Sequence, residues 1–251
     1  MPSLKRREEG QLLVLTLDRP PVNALDVETL DEISHALDDA GSAPDAVIIT
    51  GTGKVFSAGA DLPLVLEGTP DQIDAGITAL ARCFETLFLY PRPLVAAING
   101  HALAGGAVIA CAADRRIMGD SHGLIGAVEL KAGVPFPAWA LEIVRHAVNN
   151  HHVEEIIYFG RSYSPEEGLR VGLVDELVSA PDVMPRAMEV ARELAAIPRD
   201  TFRLTKESLR RWTAEAANRG MAQSDEQVKE AWRSPAVHDA IRSLLATIRK
   251  P

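Results

Sequence analysis

The stretch Leu94-Val-Ala-Ala-Ile-Asn-Gly-His-Ala-Leu-Ala-Gly-Gly106 decides the fold class of this chain. Five apolar residues typical of a buried strand lead into a glycine-rich loop, and a helix is predicted to begin at Gly105. The same arrangement occurs earlier, where Ala46-Val-Ile-Ile-Thr50 precedes the loop Phe56-Ser-Ala-Gly-Ala-Asp61. Two strand-to-glycine turns can bring two backbone N–H groups together, and such a pair can hold a developing oxyanion.

Strand and helix patterns alternate through the first half of the chain, which indicates the α/β class. Further strands are predicted at 11–17, 115–119, 124–126 and 174–178, and helices at 26–40, 71–90, 105–110, 137–148 and 153–159. The segment from Pro181 to Ile248 reads as helical, with breaks near Pro198, Gly220 and Pro235. We therefore expect a core over residues 1–180 and a helical region over 181–251.

The charge, hydropathy and cysteine content of the chain argue against several classes of protein. The 251 residues carry a net charge of -9, which disfavours nucleic acid and anionic membranes as partners. No apolar run reaches the ~18 residues of a membrane span, and the N-terminus has no apolar signal core. Cys83 and Cys111 form no C-x-x-C motif, so a reducing, cytoplasmic setting is expected. No metal site is predicted.

A lone carboxylate, Glu129, lies in the apolar stretch Gly123-Leu-Ile-Gly-Ala-Val-Glu-Leu-Lys-Ala-Gly133. An oxyanion hole together with one carboxylate indicates proton abstraction next to a carbonyl group. A base in an apolar site has its pKa raised towards ~6–7, which suits taking up and returning a proton. The residues expected to form this apolar setting are Val108, Leu124, Ile125, Val128, Leu130 and Phe136.

Simpler interpretations exist for several of these residues. Glu129 taken alone would be a surface carboxylate, and the glycines would only form tight turns. Asp61 is expected to cap the following segment rather than to move protons. His101 and His122, near the loops, are more often structural than second bases.

Several basic residues are candidate ligands for a phosphate group. Arg203, Lys206 and Arg210 share one helical face, for which a solvated surface is the default interpretation and phosphate contact the alternative. Lys54 and the Arg249-Lys250 end are comparable candidates.

Four segments in series resemble the crotonase (enoyl-CoA hydratase/isomerase) superfamily. Asp18-Arg-Pro-Pro-Val-Asn-Ala-Leu25 resembles that family's first CoA-binding loop. The loops 56–61 and 97–106 resemble its two oxyanion loops, and Ser164–Val178 resembles its A-x-x-x-G-L-V segment, with Gly168 where alanine is usual. The order of the segments agrees over nearly the whole chain.

The resemblance implies a spiral of repeated ββα units followed by helices that build a homotrimer or a hexamer. It implies an acyl-CoA substrate, with coenzyme A as part of that substrate and no separate cofactor. The backbone N–H groups of Ala60 and Gly105 would hold the thioester oxygen. The substrate-binding residues implied are Ala24, Ala58, Asp61, Val108 and Phe136.

The chain departs from the hydratase pattern at one position. Hydratases of the family place a glutamate three residues past the second oxyanion glycine, where this chain has Val108. The second hydratase glutamate aligns with Glu129. An apolar residue at the first position and a glutamate at the second is similar to the Δ3,Δ2-enoyl-CoA isomerases.

Three functions therefore stay open from the sequence. The first is a Δ3,Δ2-enoyl-CoA isomerase that acts through Glu129. The second is a hydratase or another crotonase-type thioester chemistry, in which a further residue joins Glu129. The third is an acyl-CoA binder without catalysis.

Overall fold

The computed structural model describes residues 3–41, 43–121 and 123–248. The strands of these residues are β1 (Leu4–Glu9), β2 (Leu12–Leu17), β3 (Ala46–Gly51), β4 (Val55–Ser57), β5 (Leu94–Ile98), β6 (His101–Leu103), β7 (Arg115–Gly119), β8 (Ile125–Gly126) and β9 (Glu176–Val178). The helices are α1 (Val27–Ala40), α2 (Leu62–Glu67), α3 (Pro70–Leu89), α4 (Gly105–Ala112), α5 (Ala138–Ala147), α6 (Val153–Phe159), α7 (Pro165–Val171), α8 (Val183–Ala195), α9 (Arg199–Arg233) and α10 (Pro235–Ile248).

The central part of the chain is a spiral of repeated ββα units, as the resemblance implies. Each turn contributes one strand to a six-stranded sheet and the next strand to a three-stranded sheet, and then enters a helix. The first sheet has the order β1-β2-β3-β5-β7-β9, and the second has the order β4-β6-β8. Apart from the antiparallel β1–β2 pair, the paired strands of both sheets run parallel.

This topology places the two glycine-rich loops side by side. β3 and β5 are neighbours in the large sheet, and β4 and β6 are neighbours in the small one. The loops that follow β4 and β6 therefore leave the same edge of the small sheet next to each other. The buried strand β5 is apolar throughout, and β3 is apolar from Ala46 to Ile49, because parallel strands are covered on both faces.

The predicted helices of the first half are confirmed to within a few residues, and α6 has the predicted bounds. The short strands β4 and β6 were not predicted from the sequence, and neither was β1. The sequence of β1, Leu-Lys-Arg-Arg-Glu-Glu, is mostly charged and exposed. Such a sequence suits the edge of a sheet, because charge there discourages pairing with another chain.

The predicted break at Gly220 is wrong, because α9 continues through this residue to Arg233. A Cβ atom at Gly220 would lie 2.9 Å from the Cβ of Ala138 on α5. The glycine therefore allows α9 and α5 to pack closely rather than ending the helix. The breaks predicted at Pro198 and Pro235 are confirmed, since α9 begins after the first and α10 begins at the second.

The helices after residue 180 pack against the rest of the chain. Val183, Ala187 and Val190 of α8 cover one face of the large sheet, and Ala217 of α9 belongs to the main core. The division at residue 180 stays a prediction. Among the described helices, none is long and apolar enough to cross a membrane.

Candidate active site

Backbone hydrogen bonds join the loop before α1 to the first glycine-rich loop. The N–H of Leu25 donates to the Gly59 carbonyl at 2.8 Å, and the N–H of Asp61 donates to the Leu25 carbonyl at 3.1 Å. The N–H of Ala58 donates to the Val22 carbonyl at 3.0 Å. The segment that resembles a CoA-binding loop is therefore fixed directly to the segment that resembles an oxyanion loop.

Asn23 makes a second connection that the sequence analysis did not single out. Its backbone has a φ of 50°, a left-handed conformation in which asparagine is common among non-glycine residues. Its Nδ2 donates to the Val55 carbonyl at 2.7 Å, and its own carbonyl accepts from the Ser57 hydroxyl at 2.7 Å. The next residue, Ala24, is buried at this junction. The sequence signal that could have identified Asn23 is its position between the Pro20-Pro21 pair and the start of α1.

The two glycine-rich loops touch at Gly59 and Gly105. Gly59 has a φ of 84°, and a Cβ atom built on it would lie 2.8 Å from the Gly105 nitrogen. Ala104 has a φ of 48°, an uncommon conformation for alanine that is more frequent at functional sites. Within the described ranges, neither the Ala60 N–H nor the Gly105 N–H donates a hydrogen bond to a protein acceptor. Two donors are thus left free where the loops meet.

Arg19 bridges two helix caps beside these loops. Its Nη1 lies 2.7 Å from Oδ2 of Asp61, and its Nε lies 3.1 Å from Oδ2 of Asp26. Asp61 accepts from the Leu64 N–H and caps α2, so the predicted capping role is confirmed. Substrate contact by Asp61 stays a prediction.

Glu129 begins a 3₁₀ helix, Glu129–Ala132, that follows β8. Its side chain is only 7% exposed, and its Oε2 has no hydrogen-bond partner. Burial raises the pKa of this carboxyl to about 8, and the residue's own backbone N–H offsets only part of the effect. A carboxyl with this pKa is present in both protonation states near neutral pH, so it can accept and return a proton.

The apolar setting of Glu129 differs in part from the sequence-based expectation. Val108 on α4 is fully buried, and Phe136 packs half-buried against the same core. Leu124 and Leu130 are instead exposed, which corrects their assignment to that setting. Leu124 lies in the irregular segment before β8, and Leu130 lies in the 3₁₀ helix. Both side chains lie on the solvent side of these segments.

The histidines near the loops have different outcomes. His101 accepts a hydrogen bond from the Leu124 N–H at 3.2 Å through Nδ1, which supports the structural interpretation. His122 lies outside the described residues. In the described part of the chain, no group of three or more His, Cys, Asp and Glu side chains is placed to hold a metal ion.

A cavity of about 460 Å³ adjoins the first glycine-rich loop. It is lined by residues of α1, α2 and α3 and by Trp232 of α9, and Ala60 forms part of its wall. Its apolar wall residues are Leu25, Val27, Leu30, Leu64, Val65, Ile73, Ile77, Leu80 and Trp232. Ile73, Ile77 and Trp232 also pack in one cluster with Ala132, in the 3₁₀ helix of Glu129. The cavity therefore adjoins the candidate oxyanion loop at Ala60, and Glu129 is not among the residues that line it.

Lys206 and Arg210 do not form a solvated face, which corrects the default interpretation. Lys206 is 6% exposed and Arg210 is 5% exposed. Both bind the carboxylate of Asp114, at 2.7 and 2.8 Å, and both also donate to backbone carbonyls. We refer to these three residues as the Asp114 cluster. Arg203, by contrast, pairs at the surface with Asp200 and Glu207.

The Asp114 cluster is structural in its geometry. Asp114 also accepts from the Leu94 N–H at 2.7 Å, so the cluster connects α9 to the start of β5. The burial of Lys206 lowers its pKa to about 8, against the attraction of Asp114. Because every charge in the cluster has protein partners, the cluster offers no free cation to a phosphate.

Comparisons with known proteins show the family of this chain. The chain is 34% identical over 202 residues to a probable enoyl-CoA hydratase of Mycobacterium avium, covering 80% of this chain and 78% of that protein. It is 35% identical over 195 residues to a carnitinyl-CoA dehydratase of Salmonella arizonae, covering 76% and 74%. The structure of human mitochondrial Δ3,Δ2-enoyl-CoA isomerase superposes with a TM-score of 0.91 at 27% identity, covering 98% of each chain. The family model for enoyl-CoA hydratase/isomerase matches residues 7–244, so the chain belongs to the enoyl-CoA hydratase/isomerase family.

Proposed function

We propose that this chain is a Δ3,Δ2-enoyl-CoA isomerase, which moves a double bond from C3 to C2 of an enoyl thioester. The observation that carries the proposal is the isolation of Glu129. Among the buried polar and charged side chains of the described residues, it is the only acidic one. Val108 occupies the position where the family's hydratases carry another glutamate. One carboxylate suffices to shift a double bond, whereas adding water most readily uses two.

The proposed reaction consists of two proton transfers through one group. The Glu129 carboxylate removes a proton from C2, and the electron pair of that C–H bond passes into the thioester to form a dienolate. The protonated Glu129 then returns the proton to C4, which leaves a double bond between C2 and C3. The C3=C4 bond is lost and no atom is gained, so the reaction is an isomerisation.

The dienolate places negative charge on the thioester oxygen. In the proposed complex this oxygen accepts hydrogen bonds from the N–H groups of Ala60 and Gly105, which have no protein acceptor in the described structure. Losing one donor of an oxyanion hole typically costs roughly 3–4 kcal/mol of transition-state stabilisation. The close contact between Gly59 and Gly105 supports this role, because it brings the two loops together.

The cavity beside Ala60 is the proposed site for the acyl chain. Its walls are mostly apolar and it adjoins the loop that would hold the thioester. Ala24 and Ala58 lie where the first two loops join, beside the proposed position of the CoA moiety. Phe136 is the proposed apolar contact on the Glu129 side.

A hydratase is the second candidate, because the named relative from Mycobacterium avium is a probable enoyl-CoA hydratase. Hydration would require a group other than Glu129 to take part in the second proton transfer. His101 is the described histidine considered for that role, and its Nδ1 accepts a hydrogen bond from the Leu124 N–H. This contact supports a structural role for His101.

Parallel assays of a 3-enoyl-CoA and a 2-enoyl-CoA of equal chain length test the proposal. We expect the 3-enoyl substrate to be converted to the 2-enoyl product, with no comparable hydration of the 2-enoyl substrate. Hydration at a comparable rate would replace the isomerase by the hydratase. Binding of both thioesters without turnover would indicate an acyl-CoA binder.

The variant Val108→Glu tests the two-carboxylate explanation, in which hydration needs an acid at position 108 in addition to Glu129. A second carboxylate at position 108 would face the substrate together with Glu129. We therefore expect weak hydration of 2-enoyl-CoA, together with a loss of protein stability. Val108→Gln is the control, since it adds bulk and polarity without an acid. Equal hydration by both variants would contradict the two-carboxylate explanation.

A homotrimer, or a dimer of trimers, is the proposed assembly. Leu204, Leu209 and Trp212 of α9 are large apolar residues that stay exposed in the single chain. Met184, Met188 and Leu194 of α8 pack, partly buried, against the large sheet of their own chain. Light scattering at micromolar concentration tests the assembly, and a monomer would contradict it.

A further inference from the structure

Gly76 occupies the middle of the α3 face that lines the cavity beside Ala60. The lining positions on this helix are Gln72, Ile73, Gly76, Ile77 and Leu80, which follow helical spacing. Gly76 is the position without a side chain. A Cβ atom built on it would meet no atom within 4 Å, so open space lies in front of it.

Neither the packing nor the backbone of α3 explains a glycine at this position. Gly220, in the interior of α9, faces a close contact with Ala138, whereas Gly76 faces the cavity. Gly76 also lies within a regular helix, outside the set of glycines with positive φ. Glycine in a helix interior is less stable than alanine, because it loses more backbone freedom on folding. An alanine would therefore fit here and stabilise the helix.

The part of the cavity wall that α2 forms is mostly apolar and incompletely packed. None of the six residues of α2 is buried, although Leu62–Leu66 is apolar apart from its proline. Leu64 is 49% exposed and still lines the cavity. The α3 wall from Gln72 to Leu80 spans eight residue steps, or about 12 Å. An elongated apolar ligand of this length would complete the packing of both helices.

We propose that Gly76 determines the length of the acyl chain that the site accepts, by leaving the α3 backbone bare at the middle of the cavity. This role rests on the proposed function, because it takes the ligand to be an acyl thioester held at Ala60. The preferred substrate class is an unbranched, medium-chain acyl-CoA. A side chain at position 76 would project into the space that the middle of that chain occupies.

The test compares Gly76→Leu with two matched variants. Ala75→Leu adds the same side chain to the neighbouring, exposed position of α3, outside the cavity lining. Gly76→Ala adds one methyl group at the same position and is expected to fold at least as stably as the wild type. Circular dichroism and thermal melting establish that each variant is folded.

Binding is measured by calorimetry with saturated butanoyl-, octanoyl- and dodecanoyl-CoA, which lack the double bond to be moved. Each buried methylene is worth about fourfold in affinity, so the wild type should bind octanoyl-CoA well over tenfold more tightly than butanoyl-CoA. Gly76→Leu should lose tenfold or more for octanoyl-CoA and stay within about twofold for butanoyl-CoA. Ala75→Leu should keep the wild-type profile, and Gly76→Ala should weaken octanoyl-CoA binding about twofold to fourfold.

The outcomes separate this proposal from the one on which it rests. If Gly76→Leu folds and keeps the wild-type chain-length profile, Gly76 does not determine chain length, and the isomerase proposal is unaffected. An unchanged octanoyl-CoA affinity in Gly76→Ala leads to the same conclusion if Gly76→Leu does not fold. If the wild type binds none of the thioesters, both proposals are wrong.

Discussion

Glu129 and the Asp114 cluster are two solutions to the burial of charge in one chain. Glu129 is alone, its Oε2 has no partner, and its pKa rises to about 8. In the cluster, one carboxylate binds Lys206 and Arg210, and backbone carbonyls accept the remaining hydrogen bonds. A buried charge without a partner is costly and reactive, whereas a buried charge with partners is fixed in place. The comparison teaches that partners, more than burial, distinguish the two roles.

The largest expected effect belongs to the unpaired group. Glu129→Gln should lower isomerisation about 10²–10⁴-fold, because the amide is nearly isosteric and cannot carry the proton. The measurement is turnover of a 3-enoyl-CoA, with binding of a saturated acyl-CoA as the control for an intact site. A loss below roughly tenfold would mean that Glu129 is not the base.

Substitution in the Asp114 cluster should lower the stability of the protein rather than its activity. Asp114→Asn leaves two buried cations without their carboxylate, and breaking a buried pair typically costs about 3–5 kcal/mol. The expected decrease in melting temperature is roughly 6–20 °C for a chain of this size. Calorimetry or thermal melting followed by circular dichroism measures it. A melting temperature within about 2 °C of the wild type would contradict a structural role for the cluster.

Lys206→Met is the matched control for Asp114→Asn. It removes one cation, leaves the Asp114–Arg210 pair in place, and substitutes an apolar side chain of similar length. We expect a change within about 1 kcal/mol, because an apolar substitute avoids the cost of burying charge. A loss as large as that of Asp114→Asn would show that each ion pair of the cluster is needed.

The dependence of stability on pH should differ in sign between the two regions. The folded state raises the pKa of Glu129 from 4.5 to about 8, so it binds more protons than the unfolded state between these values. Its contribution is therefore most favourable below pH 4.5 and is lost as the pH rises to about 8. Glu129→Gln should gain stability relative to the wild type over this interval, by a few kcal/mol.

Lys206 should show the opposite slope. Its pKa falls from 10.5 to about 8 in the folded state, so the unfolded state binds more protons between these values. The wild type should gain stability as the pH rises from about 8 to 10.5, and Lys206→Met should lack this gain. Denaturant unfolding of both variants across pH 4 to 10.5 measures the two slopes, and equal slopes in the wild type and its variants would contradict the assignments.

Local sequence patterns were sufficient for most of the fold. The apolar runs before each glycine loop predicted β3 and β5. Hydrophobic periodicity did not predict β4 and β6, because each strand has only three residues. It also failed at Gly220, where a residue that usually interrupts helices is required by a neighbouring helix.

The sequence by itself determined the α/β class, the two glycine loops and the isolation of Glu129 among apolar residues. These features are local, because strand propensity, turn geometry and apolar context act between residues that are close along the chain. Only the tertiary structure decided that Lys206 and Arg210 are buried, since their partner Asp114 lies more than ninety residues away. It also decided that Gly76 faces a cavity, because α1, α2 and α9 form the other walls. The burial and ion pairing of a side chain depend on contacts between elements that are distant in the sequence. Local sequence patterns do not specify these contacts.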